Sequence, residues 1–180
     1  MRNCKMNYDI VIKDILHLGK IIDSKSLKEC IEINSSNIKI NANSINLLVK
    51  KYKESNNSKT WETRVVYNKL MILKYKLLLN NEKYGKNNKT TELSSDDLEY
   101  LSRFIDKEEL SKSFNISKKK IYTKSLDMST AEHLLREFEE IRNQFYGEEQ
   151  IEILYYKLKI FYHKAIIEGI IRIEKERLLA

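Results

Sequence analysis

The sequence predicts an all-α fold, built as a tandem duplication of one multi-helix unit with a long C-terminal helix, and three observations predict it. Proline is absent and glycine occurs only four times in 180 residues, so the two residues that most readily interrupt helices are nearly missing. Apolar residues recur at the three-to-four-residue spacing of amphipathic helices through most of the chain. The apolar pattern of the first half then returns, in the same order, in the second. With 42% hydrophobic and 33% charged residues, the chain has the composition of a globular protein able to bury a core.

Ile15, Leu18 and Ile21 mark a short first helix, which returns as Leu98, Leu101 and Phe104. A second short helix runs on from Asp23 through Leu27 and returns from Asp106 through Leu110, a spacing of 83 residues that also places Ile33 on Ile116 and Ile38 on Ile121. After a turn, each unit is expected to form a third short helix. The connecting helix follows, Asn46 to Glu54 matching Glu132 to Glu140, with Leu48 on Leu134, Val49 on Leu135 and Tyr52 on Phe138 at a spacing of 86. A long helix closes each unit, Val65 to Leu79 matching Ile153 to Ile167, with Tyr67 on Tyr155, Leu70 on Leu158 and Ile72 on Ile160 at a spacing of 88. The spacing grows only at predicted loops, which tolerate length changes that packed helices do not.

Tyr84 to Asp97 is polar and poor in apolar residues, so the junction falls there and divides the chain into residues 1–88 and 89–180. Ser94 or Ser95, followed by Asp96 and Asp97, suits a helix start. The last helix is expected from Glu148 to about Leu179. Its Ile151, Leu154, Leu158, Phe161, Ala165 and Ile166 face the core, while Ile170, Ile171, Ile173 and Leu178 continue the stripe toward either the first half or a second copy, giving a homodimer through this helix.

The charge is unevenly divided. Residues 1–90 carry 18 basic against 8 acidic side chains, and residues 91–180 carry 15 against 18, for a net +7 overall. Such a basic first half attracts phosphates without regard to sequence, through lysines such as Lys50, Lys51, Lys53, Lys69, Lys74 and Lys76. Cys4 and Cys30 form no CxxC pair, which indicates a reducing compartment rather than a disulfide framework. The N-terminus lacks the pattern of a secretory signal, and the most apolar stretch, Ile160 to Ile173, is short and interrupted by Lys164, Glu168 and Arg172. A cytoplasmic location without membrane attachment is expected.

Nothing in the sequence suggests catalysis, a metal or a cofactor. His17, His133 and His163 are scattered, without ligand spacing, and are expected at the surface or its boundary. No glycine-rich phosphate loop or nucleophile elbow occurs. Adjacent acids such as Glu139 and Glu140 point apart on a helix, and Tyr155, Tyr156 and Tyr162 read as core or boundary residues.

Residues 107–124, Lys-Glu-Glu-Leu-Ser-Lys-Ser-Phe-Asn-Ile-Ser-Lys-Lys-Lys-Ile-Tyr-Thr-Lys, resemble the helix-turn-helix of DNA-binding proteins. Ser111 stands where that pattern asks for a small residue, Asn115 where it asks for a turn residue, and Ile121 where it asks for a buried β-branched one; Leu110, Phe114 and Ile116 fill its apolar positions. The resemblance implies a recognition helix from Lys118 to Lys124, capped by Ser117. Ser117, Lys118, Lys119, Tyr122 and Thr123 would face bases or flanking phosphates, and Lys120 and Lys124 mainly the backbone. In the first unit, Lys28 and Glu32 depart from the pattern. The expected function is therefore that of a small transcriptional regulator binding double-stranded DNA, the alternative being a helical adaptor or inhibitor that binds another protein.

Overall fold

The computed structural model describes residues 8–34, 37–40, 42–55, 60–80, 91–106, 108, 110, 114–117, 120–123 and 128–179. These residues are mostly helical. In the first half they form α1 (Ile12–Leu18), α2 (Ser24–Cys30), β1 (Ile31–Asn34), β2 (Asn37–Ile40), α3 (Ala42–Ser55) and α4 (Trp61–Leu79). The second half contributes α5 (Ser95–Leu101), β3 (Phe114–Ser117), β4 (Lys120–Thr123), α6 (Met128–Gln144) and α7 (Glu149–Leu179). No described helix is long and apolar enough to cross a membrane.

The helix starts follow from local chemistry. Asp14 accepts the Val11 amide at 2.9 Å, and Asp23 accepts the Ser26 amide at 2.9 Å. At α5 the arrangement is reciprocal: the Ser94 hydroxyl accepts the Asp97 amide at 3.2 Å, while the Asp97 carboxylate accepts the Ser94 amide at 2.7 Å. Each pairing satisfies a donor that a first helical turn leaves unpaired and sets a carboxylate at the positive end of the peptide dipoles. Asp106 does the same in abbreviated form, accepting the Glu108 amide at 2.6 Å while its carbonyl accepts from Leu110.

Where the third short helices are expected, the described residues form strands. Ile31–Asn34 pairs antiparallel with Asn37–Ile40, and Phe114–Ser117 pairs antiparallel with Lys120–Thr123. Ile31, Ile33, Ile38 and Ile40 alternate with polar residues, and this two-residue period suits a half-buried strand. β-Branched side chains favour the same choice, as does the turn-forming sequence Asn-Ser-Ser-Asn, residues 34–37, at the strand ends and the connection between them. The result is amphipathic: paired Ile31 and Ile40 are buried, while Glu32 and Lys39, oppositely charged and paired, are exposed.

Three apolar clusters hold the elements together. One, within the first half, is centred on Leu18, Ile45, Leu48, Tyr52 and Leu70. The second half builds its own from Leu101, Phe138, Ile151, Leu154 and Leu158. Each fully buried leucine contributes roughly 1.5–3 kcal/mol over an exposed one. The third cluster lies between α4 and α7, where Val65, Ile72, Tyr75 and Leu79 meet Ile160, Ile166, Ile167 and Ile170. Because α4 and α7 each face their own half on one side and each other on the other, both are apolar nearly all round. Thr60 to Arg64 lie across a cleft from Ile170 to Arg177, so the two helices run antiparallel. The C-terminal stripe is accordingly used within the chain as far as Ile170, which is 4% exposed, and comes free at Ile173, which is 53% exposed.

The turn from α6 into α7 passes through Gly147, whose φ of 93° is unfavourable for any residue with a Cβ. No heavy atom lies within 4 Å of where a Cβ would stand, so only the backbone conformation opposes substitution. Gly147→Ala should cost about 1–2 kcal/mol in urea unfolding without changing the core.

Candidate functional site

Of the residues expected to read DNA, the described ones, Ser117, Lys120, Tyr122 and Thr123, lie on a hairpin. Ser117 pairs with Lys120, Asn115 with Tyr122, Ile116 with Ile121 and Phe114 with Thr123. Ser117, Lys120, Tyr122 and Thr123 are thus strand residues, and the expected recognition helix is corrected to a two-stranded ribbon. The period-two alternation of Phe114, Ile116, Ile121 and Thr123 competes with the helical motif in the sequence, and strand pairing prevails because it satisfies the backbone of both short segments at once. Ser111, Lys118, Lys119 and Lys124 lie outside the described residues.

The lysines of the basic half divide into two sets. Lys69 is buried, its Nζ 2.8 Å from Asp14, and is therefore a core residue rather than a phosphate contact. Lys76 bonds Asp9 at 2.8 Å, which holds the Asp9 carboxyl below its ordinary range, chiefly through that hydrogen bond. Lys51 donates to the Ser26 hydroxyl. Lys53 is exposed, as is Lys50, whose side chain is 72% accessible and 3.9 Å from Glu54. Of the lysines named from the sequence, Lys50 and Lys53 are the ones most open to an outside partner.

Sequence reasoning missed a buried polar framework. In the second half Lys157 bonds the Asp97 carboxylate at 2.9 Å, as Lys69 bonds Asp14 in the first. Its signal was present: Asp14 and Lys69 return as Asp97 and Lys157 at the spacings of the helices that carry them. Beside it, Arg142 forks onto Glu152 at 2.7 and 3.0 Å and lies 4.3 Å from the Tyr155 ring centre. Glu139 accepts from Lys159 at 2.7 Å and from Tyr155 at 3.0 Å; the lysine bond is the main reason its carboxyl is held below the ordinary range.

His163, expected near the surface, is buried between α4 and α7. Its Nδ1 lies 2.8 Å from Asn68 Oδ1, and its ring stacks on Tyr75 with centroids 5.8 Å apart. Asn68 spends an amide N–H on the Arg64 carbonyl at 2.7 Å, which leaves its oxygen to accept from His163 Nδ1–H in the neutral imidazole. Burial first, and Lys159 second, depress the imidazole to about 3. His17 lies 3.3 Å from the Thr63 hydroxyl, and His133 is exposed, 3.2 Å from Glu137. Among the described residues no group of three or more His, Cys, Asp or Glu is placed to hold a metal ion.

A cleft of about 630 Å³ opens beside the first hairpin. Ile38, Ile40 and Ile72 line it, with Lys28, Lys39 and Lys76 balanced by Asp9, Glu29 and Glu32. Cys30, at its edge, has its thiol pushed up by burial and is poorly suited to act as a nucleophile. No buried polar side-chain atom among the described residues lacks a hydrogen-bond partner, so no orphaned group in the cleft asks for a ligand. Neither a protein-family model, nor a curated protein, nor a solved structure matches the chain.

Proposed function

We propose that the protein binds double-stranded DNA through the basic ribbon of its second half, as a small cytoplasmic regulator made of two diverged copies of one unit. The observation that carries the binding reading is Lys118-Lys119-Lys120, three consecutive cations at the connection between two paired strands. A two-stranded ribbon is of a size to enter the major groove, and its lysines would supply phosphate attraction rather than bidentate base reading. Lys50 and Lys53, exposed on α3 of the basic half, would add contacts that ignore sequence.

The duplication is supported by more than the order of elements. Both α1 and α5, and both ladders, begin 83 residues apart, and the Asp14–Lys69 and Asp97–Lys157 pairs recur at the spacings of their helices. Across the α4–α7 interface, Asn68 meets His163 while Tyr75 stacks on Tyr156. Residues 68 and 75 correspond to 156 and 163, so the two pairings exchange partners as they would across a two-fold axis.

Fluorescence anisotropy with labelled duplexes at several salt concentrations tests the reading. Replacing Lys118, Lys119 and Lys120 with Ala should weaken binding and flatten the slope of log affinity against log salt by about 0.9 for each phosphate that the variant no longer neutralises. Lys50→Ala with Lys53→Ala should weaken all duplexes alike, whereas Tyr122→Ala should narrow the preference for one sequence over another. No binding by the unmodified chain at low salt would reject the proposal. It would favour the adaptor reading.

A further inference from the structure

Two of the three apolar clusters, and both buried lysine–aspartate pairs, lie wholly within one half of the chain or the other. The third cluster is the seam where α4 of the first half meets α7 of the second. His163 stands in that seam, 7% exposed, and bonds Asn68 across it. A buried titratable group between two bodies that each keep a core of their own is where a change of charge acts first.

The surroundings suit the imidazole only as a neutral ring. Its Nδ1–H donates to Asn68 Oδ1 on α4, Tyr75 of α4 stacks on its face, and Tyr162 of α7 meets it edge-on with centroids 5.3 Å apart. Lys159, one turn earlier on α7, opposes a second positive charge. The carboxylates that α6 brings to this stretch are committed elsewhere, Glu139 to Lys159 and Tyr155, and Glu132 to the Tyr162 hydroxyl. Tyr75, whose hydroxyl burial pushes up to about 12, supplies no negative charge. A proton added at Nε2 therefore finds no counter-ion and little water while α4 and α7 stay together, and finds water once they part.

We propose that His163 is an acid-operated latch: its protonation shifts the protein toward a state in which α4 and α7 have parted, baring Val65, Ile72, Ile160 and Ile167, while each half keeps its own core. The closed imidazole titrates near 3 and a solvated one near 6.5, so falling pH favours the parted state, whose equilibrium constant should rise about thirtyfold between pH 8 and pH 5. The latch stands or falls separately from DNA binding by the ribbon.

Thiol reactivity tests it on the full chain. Cys30 is buried in the core of the first half, and Ile167→Cys places a thiol at a seam position that is 0% exposed; Cys4→Ser removes the remaining one. With a pyridyl disulfide reagent, rates divided by those of the urea-unfolded chain at the same pH give the equilibrium constant for exposure of each thiol. At position 167 that constant should rise about thirtyfold from pH 8 to pH 5 and exceed the constant at Cys30 by at least about tenfold. It should also depend less steeply on added urea, because parting exposes less surface than unfolding. Ile72→Cys, at a position 1% exposed on α4, should report the same opening, and serves if the first variant does not fold. His163→Gln should make the seam constant independent of pH over this range. Equal constants at the seam and at Cys30 would mean that the seam opens only when the whole chain unfolds, which overturns the proposal. So does a seam constant that acid leaves unchanged, or one whose rise persists in His163→Gln.

Discussion

Replacing Lys69 with Ala should destabilise the protein by about 3–5 kcal/mol, a large part of the roughly 5–15 kcal/mol that holds a domain folded. Lys69 and Asp14 have side chains only 10% and 9% accessible, and their 2.8 Å contact joins α4 to the start of α1. Without the ammonium, Asp14 keeps its hydrogen bond from the Val11 amide but remains a carboxylate with neither a counter-ion nor free access to water. The loss is therefore chiefly the penalty of an unpaired buried charge. Asp14→Asn combined with Lys69→Met should recover most of it, since Asn still accepts the Val11 amide and both charges are then gone. Urea unfolding of the unmodified protein, Asp14→Asn, Lys69→Met and the double variant gives the coupling directly. Lys157→Ala should carry a comparable cost, because Lys157 and Asp97 are 6% and 17% accessible in the corresponding place. A penalty below about 1 kcal/mol at both sites, the range of exposed pairs, would mean that neither pair is desolvated in solution.

The second large effect is on acid stability. His163 titrates near 3 in the folded protein against 6.5 unfolded, so the unfolded chain takes up its proton first as pH falls. Stability from this residue is complete above about 6.5 and declines by about 1.4 kcal/mol per pH unit toward 3. At pH 5 the protein should have lost about 2 kcal/mol relative to pH 8. His163→Gln should start less stable, having lost the stacking on Tyr75, yet show a flatter profile between pH 7 and pH 5. Asp9 and Glu139, whose carboxyls are held low by Lys76 and Lys159, add their own loss only at lower pH. Equal slopes for the two proteins between pH 7 and pH 5 would show that the imidazole charges freely in place.

Together these pairs fix the register of α4 against α7. Ion pairs fix each helix against its own half, and Asn68, Tyr75, Tyr156 and His163 fix the helices against each other. An apolar interface alone tolerates small shifts in register, whereas hydrogen bonds with short distance limits do not.

The helices were legible in the sequence because each depends on neighbours three or four residues away. Leu48, Val49 and Tyr52 announce α3 by their spacing, Ser94 with Asp97 announces the start of α5, and Ile151, Leu154 and Leu158 announce the buried face of α7. The hairpins were less so: four alternating residues carry both a strand and a fragment of helix, and the choice falls to what Ile31 and Ile40 can pack against. The partners of Lys69, Lys157 and His163 were beyond local reading altogether, since Asp14, Asp97 and Asn68 lie 55, 60 and 95 residues away. From residue order alone came a largely helical chain and the apolar faces that build its cores, both consequences of short-range periodicity. Only the tertiary structure decided that Lys69 and Lys157 leave the surface, that His163 is kept neutral, and that Lys120 to Thr123 form a strand. Burial, charge pairing and strand pairing are properties of residues brought together across the fold.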